Sequence, residues 1–89
     1  MIKTYVKKPV EVQAIEYTEE NKTEIFNWFN RMNQDYGLQE NSSSIFIPTL
    51  EGEMELTLGN YLICGIQNEF YPCKADIFEA SYQESIYGE

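Results

Sequence analysis

Residues 58–82 read LGNYLICGIQNEFYPCKADIFEASY and carry the clearest local signals of the fold. The stretch holds two turn dipeptides, Gly-Asn at 59–60 and Gln-Asn at 67–68. Glycine and asparagine tolerate the backbone angles of tight turns, so both dipeptides are typical of reversals in chain direction. The runs that follow them, residues 61–66 and 69–74, have the length and composition of strands. The stretch therefore predicts two antiparallel strands joined by a short turn.

A second hairpin is predicted before this stretch, with strands over residues 44–50 and 53–58 and a turn at Glu51-Gly52. Apolar and polar residues alternate along its second strand, as they do in a strand with one buried face. The apolar side chains predicted to enter the core are Met54, Leu56 and Leu58. The polar side chains predicted to face solvent are Glu53, Glu55 and Thr57.

One long helix is predicted over residues 18–36. Thr18 can cap its first turn, and Gly37 is typical of the residue that follows a last turn. Apolar and aromatic residues recur within it at helical spacing and form one stripe along its side. The stripe consists of Ile25, Phe29, Met32 and Tyr36. Its first three members are predicted to face the sheet.

The rest of the chain completes an α+β architecture. A strand is predicted over residues 7–17, and one turn of helix at residues 75–78 precedes a final strand at 79–85. The main elements follow the order β-α-β-β-β-β, which predicts one α-helix packed on a curved, mostly antiparallel sheet. A length of 89 residues leaves no room for a second core, so residues 1–89 are predicted to form a single domain.

The charge of the chain is strongly negative and unevenly placed. It has 6 lysines and arginines and 15 acids, for a net charge of −9, and Lys3, Lys7, Lys8 and Lys22 lie near its start. A protein that binds nucleic acid needs a basic face, so direct binding of nucleic acid is not predicted. The charge favours a basic protein partner, or it serves solubility alone. The sequence has no membrane-spanning apolar run and no secretion signal, which predicts a cytoplasmic location.

Residues for catalysis or metal binding are scarce. The chain has two cysteines, Cys64 and Cys73, and no histidine. Two thiols cannot close a zinc site, and a cytoplasmic protein rarely keeps a disulfide. Both cysteines are therefore predicted to be reduced and free of metal, and no cofactor is predicted. Cys73 beside Lys74 is a weak candidate for a nucleophile because no histidine can act as its base, so an enzyme is the least favoured class.

Two sets of residues are candidates for binding a partner. The first is the acidic cluster Glu51, Glu53 and Glu55, of which the last two should lie about 7 Å apart on one side of a strand. This row is either an ordinary solvated surface or an imitation of the charge of a DNA backbone. The second set consists of tyrosines, whose apolar ring and polar hydroxyl suit an interface or stacking on a base. Its members are Tyr61, Tyr71 and Tyr82.

The stretch at residues 58–82 resembles a segment of a widespread family of small tailed-phage and prophage proteins of Gram-positive bacteria. Members of that family carry a sequence similar to PGDYIIKGVQGEFYPCKPDIFEATYE. Residues 5–17, YVKKPVEVQAIEY, also resemble the opening of family members. The resemblance covers both ends of the chain and implies a phage-encoded accessory protein. It names neither an activity nor a role for any residue.

Three functions fit these observations. The first is a non-enzymatic accessory protein that binds and inhibits a host macromolecule in the host cytoplasm. An acidic anti-CRISPR inhibitor, whose surface engages the basic nucleic-acid channel of a nuclease, is the sharpest version. The second is a sponge for a small nucleotide immune signal, for which the chain offers few cations beyond its N-terminal lysines. The third is a minor component of the virion or of its assembly. The small size of the domain also favours a homodimer.

Overall fold

The computed structural model describes residues 1–6 and 8–85 of the chain. This part of the chain forms strands and helices in a mixed arrangement, which confirms the predicted α+β class. In chain order the elements are β1 (Gln13–Glu16), α1 (Lys22–Arg31), β2 (Gly37–Leu38), β3 (Ile45–Thr49), β4 (Gly52–Leu56), β5 (Tyr61–Cys64), β6 (Phe70–Cys73) and α2 (Ala75–Ser81). The strands form two antiparallel sheets, ordered β1-β5-β6 and β2-β3-β4. Within the described residues no helix is long and apolar enough to cross a membrane.

The arrangement differs from the prediction in its numbers of sheets and helices. One helix on one curved sheet was expected, whereas the described residues form two sheets, and the helical turn predicted at residues 75–78 is the start of a second helix, α2. β2 is only 2 residues long, too short to leave an alternating pattern in the sequence. α2 continues to Ser81, so the strand predicted over residues 79–85 is wrong. The strand predicted over residues 7–17 starts only at Gln13, and Lys7 lies outside the described residues.

α1 begins later than predicted because Asn21, not Thr18, occupies its N-terminal capping position. The Asn21 side-chain oxygen accepts the Thr18 N–H at 2.9 Å, and its amide donates to the Glu16 carbonyl at 2.6 Å. Asn21 therefore fastens the start of α1 to the end of β1.

α1 also ends earlier than predicted, at Arg31, because the chain turns at Asn33. The φ angle of Asn33 is 56°, in the left-handed region that stops a helix. The Gln34 N–H donates to the Phe29 carbonyl at 2.8 Å, and the Asn33 N–H donates to the Asn30 carbonyl at 3.2 Å. These two bonds form a Schellman motif, for which asparagine is the second most common residue after glycine.

The buried core lies where α1 meets the two sheets. Its members are Tyr17, Ile25, Phe29, Ile45, Ile47, Leu56, Leu62, Cys64 and Phe70. α1 contributes Ile25 and Phe29 to it, as predicted. Met32 is 36% exposed, against the prediction, because it lies past the last helical residue. The Tyr17 hydroxyl donates to the Ser43 carbonyl at 2.5 Å and ties the loop before β3 to the core.

The alternation predicted for β4 holds at most of its positions. Leu56 is fully buried and Leu58 packs half-buried against the core, whereas Glu53 and Glu55 are exposed. Met54 is the exception, since 37% of it is exposed. It lies nearer the hairpin turn than Leu56 does, outside the part of β4 that contributes to the core cluster.

Candidate partner-binding surfaces

The outer side of the β3-β4 hairpin carries two of the predicted acidic residues. Phe46 lies opposite Glu55 and Pro48 opposite Glu53, and cross-strand partners point to the same face of a sheet. Both carboxylates therefore share one surface with the Phe46 ring. We call the surface formed by Phe46, Pro48, Glu53 and Glu55 the acidic face.

Glu51 lies at the tip of the hairpin, beside the end of the acidic face. Its side chain is exposed, and its backbone N–H donates to Thr49 Oγ1 at 3.1 Å. Gly52 follows with a φ angle of 103°, a conformation that glycine adopts without steric cost and that lets the chain reverse. The tip thus places a third carboxylate next to the two on β4.

An open groove of about 380 Å³ lies on the acidic face. Its lining residues are Gly37, Leu38, Gln39, Phe46 and Glu53. Leu38 is 59% exposed and Phe46 is half-buried, so the groove offers apolar surface beside a carboxylate. Leu38 and Phe46 were not predicted as site residues, because they lie on different strands, β2 and β3, and the groove that they line forms only when those strands pair.

Glu55 is held more firmly than a free surface carboxylate. The Ser44 hydroxyl donates to Glu55 Oε2 at 2.5 Å, and Ser44 is 8% exposed. A hydrogen bond to an ionised group is shorter and stronger than one between neutral groups. Glu55 therefore has a structural role in addition to its charge, whereas Glu51 and Glu53 can be changed at less cost to the fold.

The three predicted tyrosines lie together on a different surface, where α2 packs on the β1-β5-β6 sheet. The Tyr61 ring stacks on Phe78 at 3.9 Å between ring centroids, and Phe78 stacks on Tyr82 at 4.8 Å. The Tyr71 side chain is hydrogen-bonded to that of Tyr82. Ile63 shares this face of the sheet with its register partner Tyr71, and it is fully buried. Tyr61 and Tyr82 thus hold α2 in place through Phe78, and all three tyrosines are half-buried.

This packing changes the acidity of Tyr71. Burial first, and then the hydrogen bond with Tyr82, raise the pKa of Tyr71 to about 12 from 10.0. A raised pKa in the folded state means that the neutral phenol stabilises the fold. That contribution is complete below about pH 10 and is lost as the pH rises towards about 12.

We expect the free energy of unfolding to fall between about pH 10 and pH 12, in part through Tyr71. The Tyr71→Phe variant should show a shallower fall, because it has no phenol to ionise. Urea unfolding at a series of pH values from 8 to 11.5 measures both slopes. Tyr5→Phe is the matched control, since Tyr5 is exposed and its removal should leave the slope unchanged. Equal slopes in wild type and Tyr71→Phe would contradict the assignment.

The cysteines lie on opposite faces of the β1-β5-β6 sheet. Both carry free thiols, Cys64 buried in the core and Cys73 half-buried. Burial and the nearby Glu69 carboxylate raise the pKa of the Cys64 thiol, which disfavours the reactive thiolate. Within residues 1–6 and 8–85, no group of three or more histidines, cysteines or acids is placed to hold a metal ion.

A second open groove, of about 330 Å³, lies between α1 and the edge of the β1-β5-β6 sheet. Its lining residues are Gln13, Ala14, Ile15, Glu24, Trp28 and Arg31. β1 is the outer strand of that sheet, so its free edge borders the groove. The groove carries one acid and one base and has no charge preference comparable to that of the acidic face.

Comparison of the chain with protein-family models, with curated proteins and with solved structures found no match.

Proposed function

We propose that this chain is a non-enzymatic, phage-encoded accessory protein that binds and inhibits a basic host protein through its acidic face. The observation that carries the proposal is the grouping of Glu51, Glu53 and Glu55 beside an open groove lined by Leu38 and Phe46. Apolar anchors surrounded by charged groups are the usual composition of an interface that is both stable and selective. The resemblance of residues 58–82 to phage proteins supports the proposed origin.

The spacing of the carboxylates indicates the kind of basic surface that fits. Glu53 and Glu55 project from alternate positions of one strand, about 7 Å apart. The backbone of DNA is also a regular row of negative charges, so carboxylates that project from one strand can imitate it. A nucleic-acid channel in a defence nuclease, such as a CRISPR effector, has the matching positive charges. The net charge of −9 would also steer the chain towards such a channel.

The alternative of a nucleotide sponge receives less support. Phosphates would need several cations at one place, and the exposed Arg31 and Lys74 lie on different elements, at the end of α1 and just before α2. The tyrosines that could stack on a base are already stacked on Phe78 or bonded to each other.

We expect the double substitution Glu51→Lys and Glu53→Lys to slow association with the host protein about tenfold or more, because it replaces attraction by repulsion. The partner is first captured from host lysate with the tagged wild-type protein. Association rates are then measured across a salt series, and the wild-type rate should fall steeply as salt screens exposed charges over about 8–10 Å. Glu55 is left unchanged, since a lysine there would deprive the buried Ser44 of its acceptor.

The matched control is Glu19→Lys with Glu20→Lys. It changes the net charge equally at two exposed residues in the turn before α1, outside the acidic face. A control that slows association as much as the acidic-face variant would mean that net charge alone matters. Association that responds neither to salt nor to either variant would reject the acidic face as the site and point to the surface around Tyr61, Tyr71 and Tyr82.

A further inference from the structure

The start of the chain makes little contact with the rest of the molecule. Met1, Ile2, Tyr5 and Val6 are each at least 84% exposed. Large apolar side chains scattered singly on a surface are ordinary, but four of them within six residues are not. We call residues 1–8 the N-terminal arm; the structure describes residues 1–6 and 8 of it.

The N-terminal arm differs in charge from everything that follows it. It holds Lys3, Lys7 and Lys8, half of the 6 bases in the chain, and none of the 15 acids. Its apolar residues include Ile2, Tyr5 and Val6, types that favour an extended conformation against a sheet. The arm is therefore a basic, apolar segment attached to a strongly acidic body.

The groove on the acidic face has the complementary properties. Leu38 and Phe46 offer apolar surface. Glu53 offers negative charge at the groove, and Glu51 does so at the nearby hairpin tip. An extended arm of eight residues spans about 26 Å, whereas the five residues of β4 span about 17 Å. The arm is thus long enough to run along the whole hairpin and to place lysines near carboxylates.

We propose that the N-terminal arm of one copy binds the groove on the acidic face of a second copy, so that two copies exchange arms. Reciprocal exchange is closed by a two-fold axis, which is the commonest symmetry of homo-oligomers. Two copies of net charge −9 repel each other, so their association needs a contact between regions of opposite charge such as the arm and the groove. The inference concerns the same surface as the proposed function but does not depend on a host partner.

The experiment uses two full-length variants with opposite charge changes. The arm variant carries Lys3→Glu and Lys8→Glu, and the face variant carries Glu51→Lys and Glu53→Lys. Sedimentation velocity at low salt should show wild type as a dimer that dissociates as salt is added. Each variant alone should dimerise about tenfold or more weakly, since arm and groove then carry like charges. An equimolar mixture of the two should dimerise again, because every arm meets a groove of opposite charge.

Circular dichroism first establishes that both variants are folded. A wild-type protein that stays monomeric at about 100 μM and low salt overturns the proposal, because the dissociation constant of any dimer would then lie well above about 100 μM. Dimerisation that both variants retain overturns it as well. So does a mixture that fails to dimerise when both variants are folded, since the contact would then lie elsewhere. None of these results bears on whether the acidic face binds a host protein.

Discussion

Replacing Phe29 with alanine should lower the free energy of unfolding by about 3–5 kcal/mol, the usual cost of removing a buried phenylalanine. Phe29 is fully buried, and its ring contacts Phe70 edge-on at 5.1 Å and Tyr36 in a stack at 5.1 Å. It therefore joins α1 to β6 and to the segment that follows α1. A domain of this size has a total stability of about 4–13 kcal/mol, so the substitution removes a large share of it.

Urea unfolding followed by the fluorescence of Trp28 measures this loss. Trp28 is the only tryptophan in the chain and lies edge-on to Phe70 at 5.0 Å, so its emission reports on the same contact region. Asn27→Ala is the matched control, because Asn27 is exposed on α1 and its removal should change stability by no more than about 0.5 kcal/mol. If Phe29→Ala does not fold, Phe29→Leu gives a smaller measurable loss. A loss under about 1 kcal/mol for Phe29→Ala would place the ring outside the core.

The strands were predictable because the turns that bound them are set by a few neighbouring residues. Gly59 has a φ angle of 87° and Asn68 one of 63°, so both turn dipeptides contain a residue in the left-handed region. Each predicted strand of the two hairpins overlaps an observed strand: β4 begins one residue before its predicted start, at Gly52, and the other three lie within the predicted bounds. Turns of this kind depend on a few neighbouring residues, so their positions are predictable from the sequence.

The extent of the helices was harder to predict because it depends on contacts between distant segments. Asn33 ends α1 through a backbone conformation that asparagine adopts less often than glycine. The predicted end of the helix before Gly37, the more typical stop residue, was therefore wrong. α2 gains its second turn together with the stacking of Phe78 on Tyr61, a residue in β5. The division of the strands into two sheets likewise depends on which strands pair, and strand pairing cannot be predicted from the residues of one strand alone.

The candidate site shows the same division between local and distant information. The outward direction of Glu53 and Glu55 followed from alternation along one strand and is confirmed. The apolar half of the groove was missed, because Leu38 and Phe46 lie on different strands and β2, which carries Leu38, is only 2 residues long. The bond from Ser44 to Glu55 was missed for a related reason, since it joins the residue before β3 to β4 and depends on how the two strands pair.

The alternation on β4 leads to the second large stability effect, that of Leu56→Ala, which should cost about 2–5 kcal/mol. Leu56 is fully buried and pairs with Ile45, which is buried too, so alanine at this position leaves a cavity among apolar core side chains. The loss is measured by urea unfolding, from the shift in the midpoint between the variant and wild type when both have the same m-value.

Met54→Ala is the matched control on the same strand and the same side of the sheet. Met54 is 37% exposed, so its truncation should cost clearly less than that of Leu56, although the two side chains bury similar surface when fully covered. This difference tests the register of the β3-β4 hairpin directly, because a shift of one residue would exchange the buried and exposed sides of β4. In the shifted register Glu53 and Glu55 would point inward and the acidic face would not exist. A Leu56→Ala variant within about 0.5 kcal/mol of wild type would therefore refute both the core position of Leu56 and the surface on which the proposed binding depends.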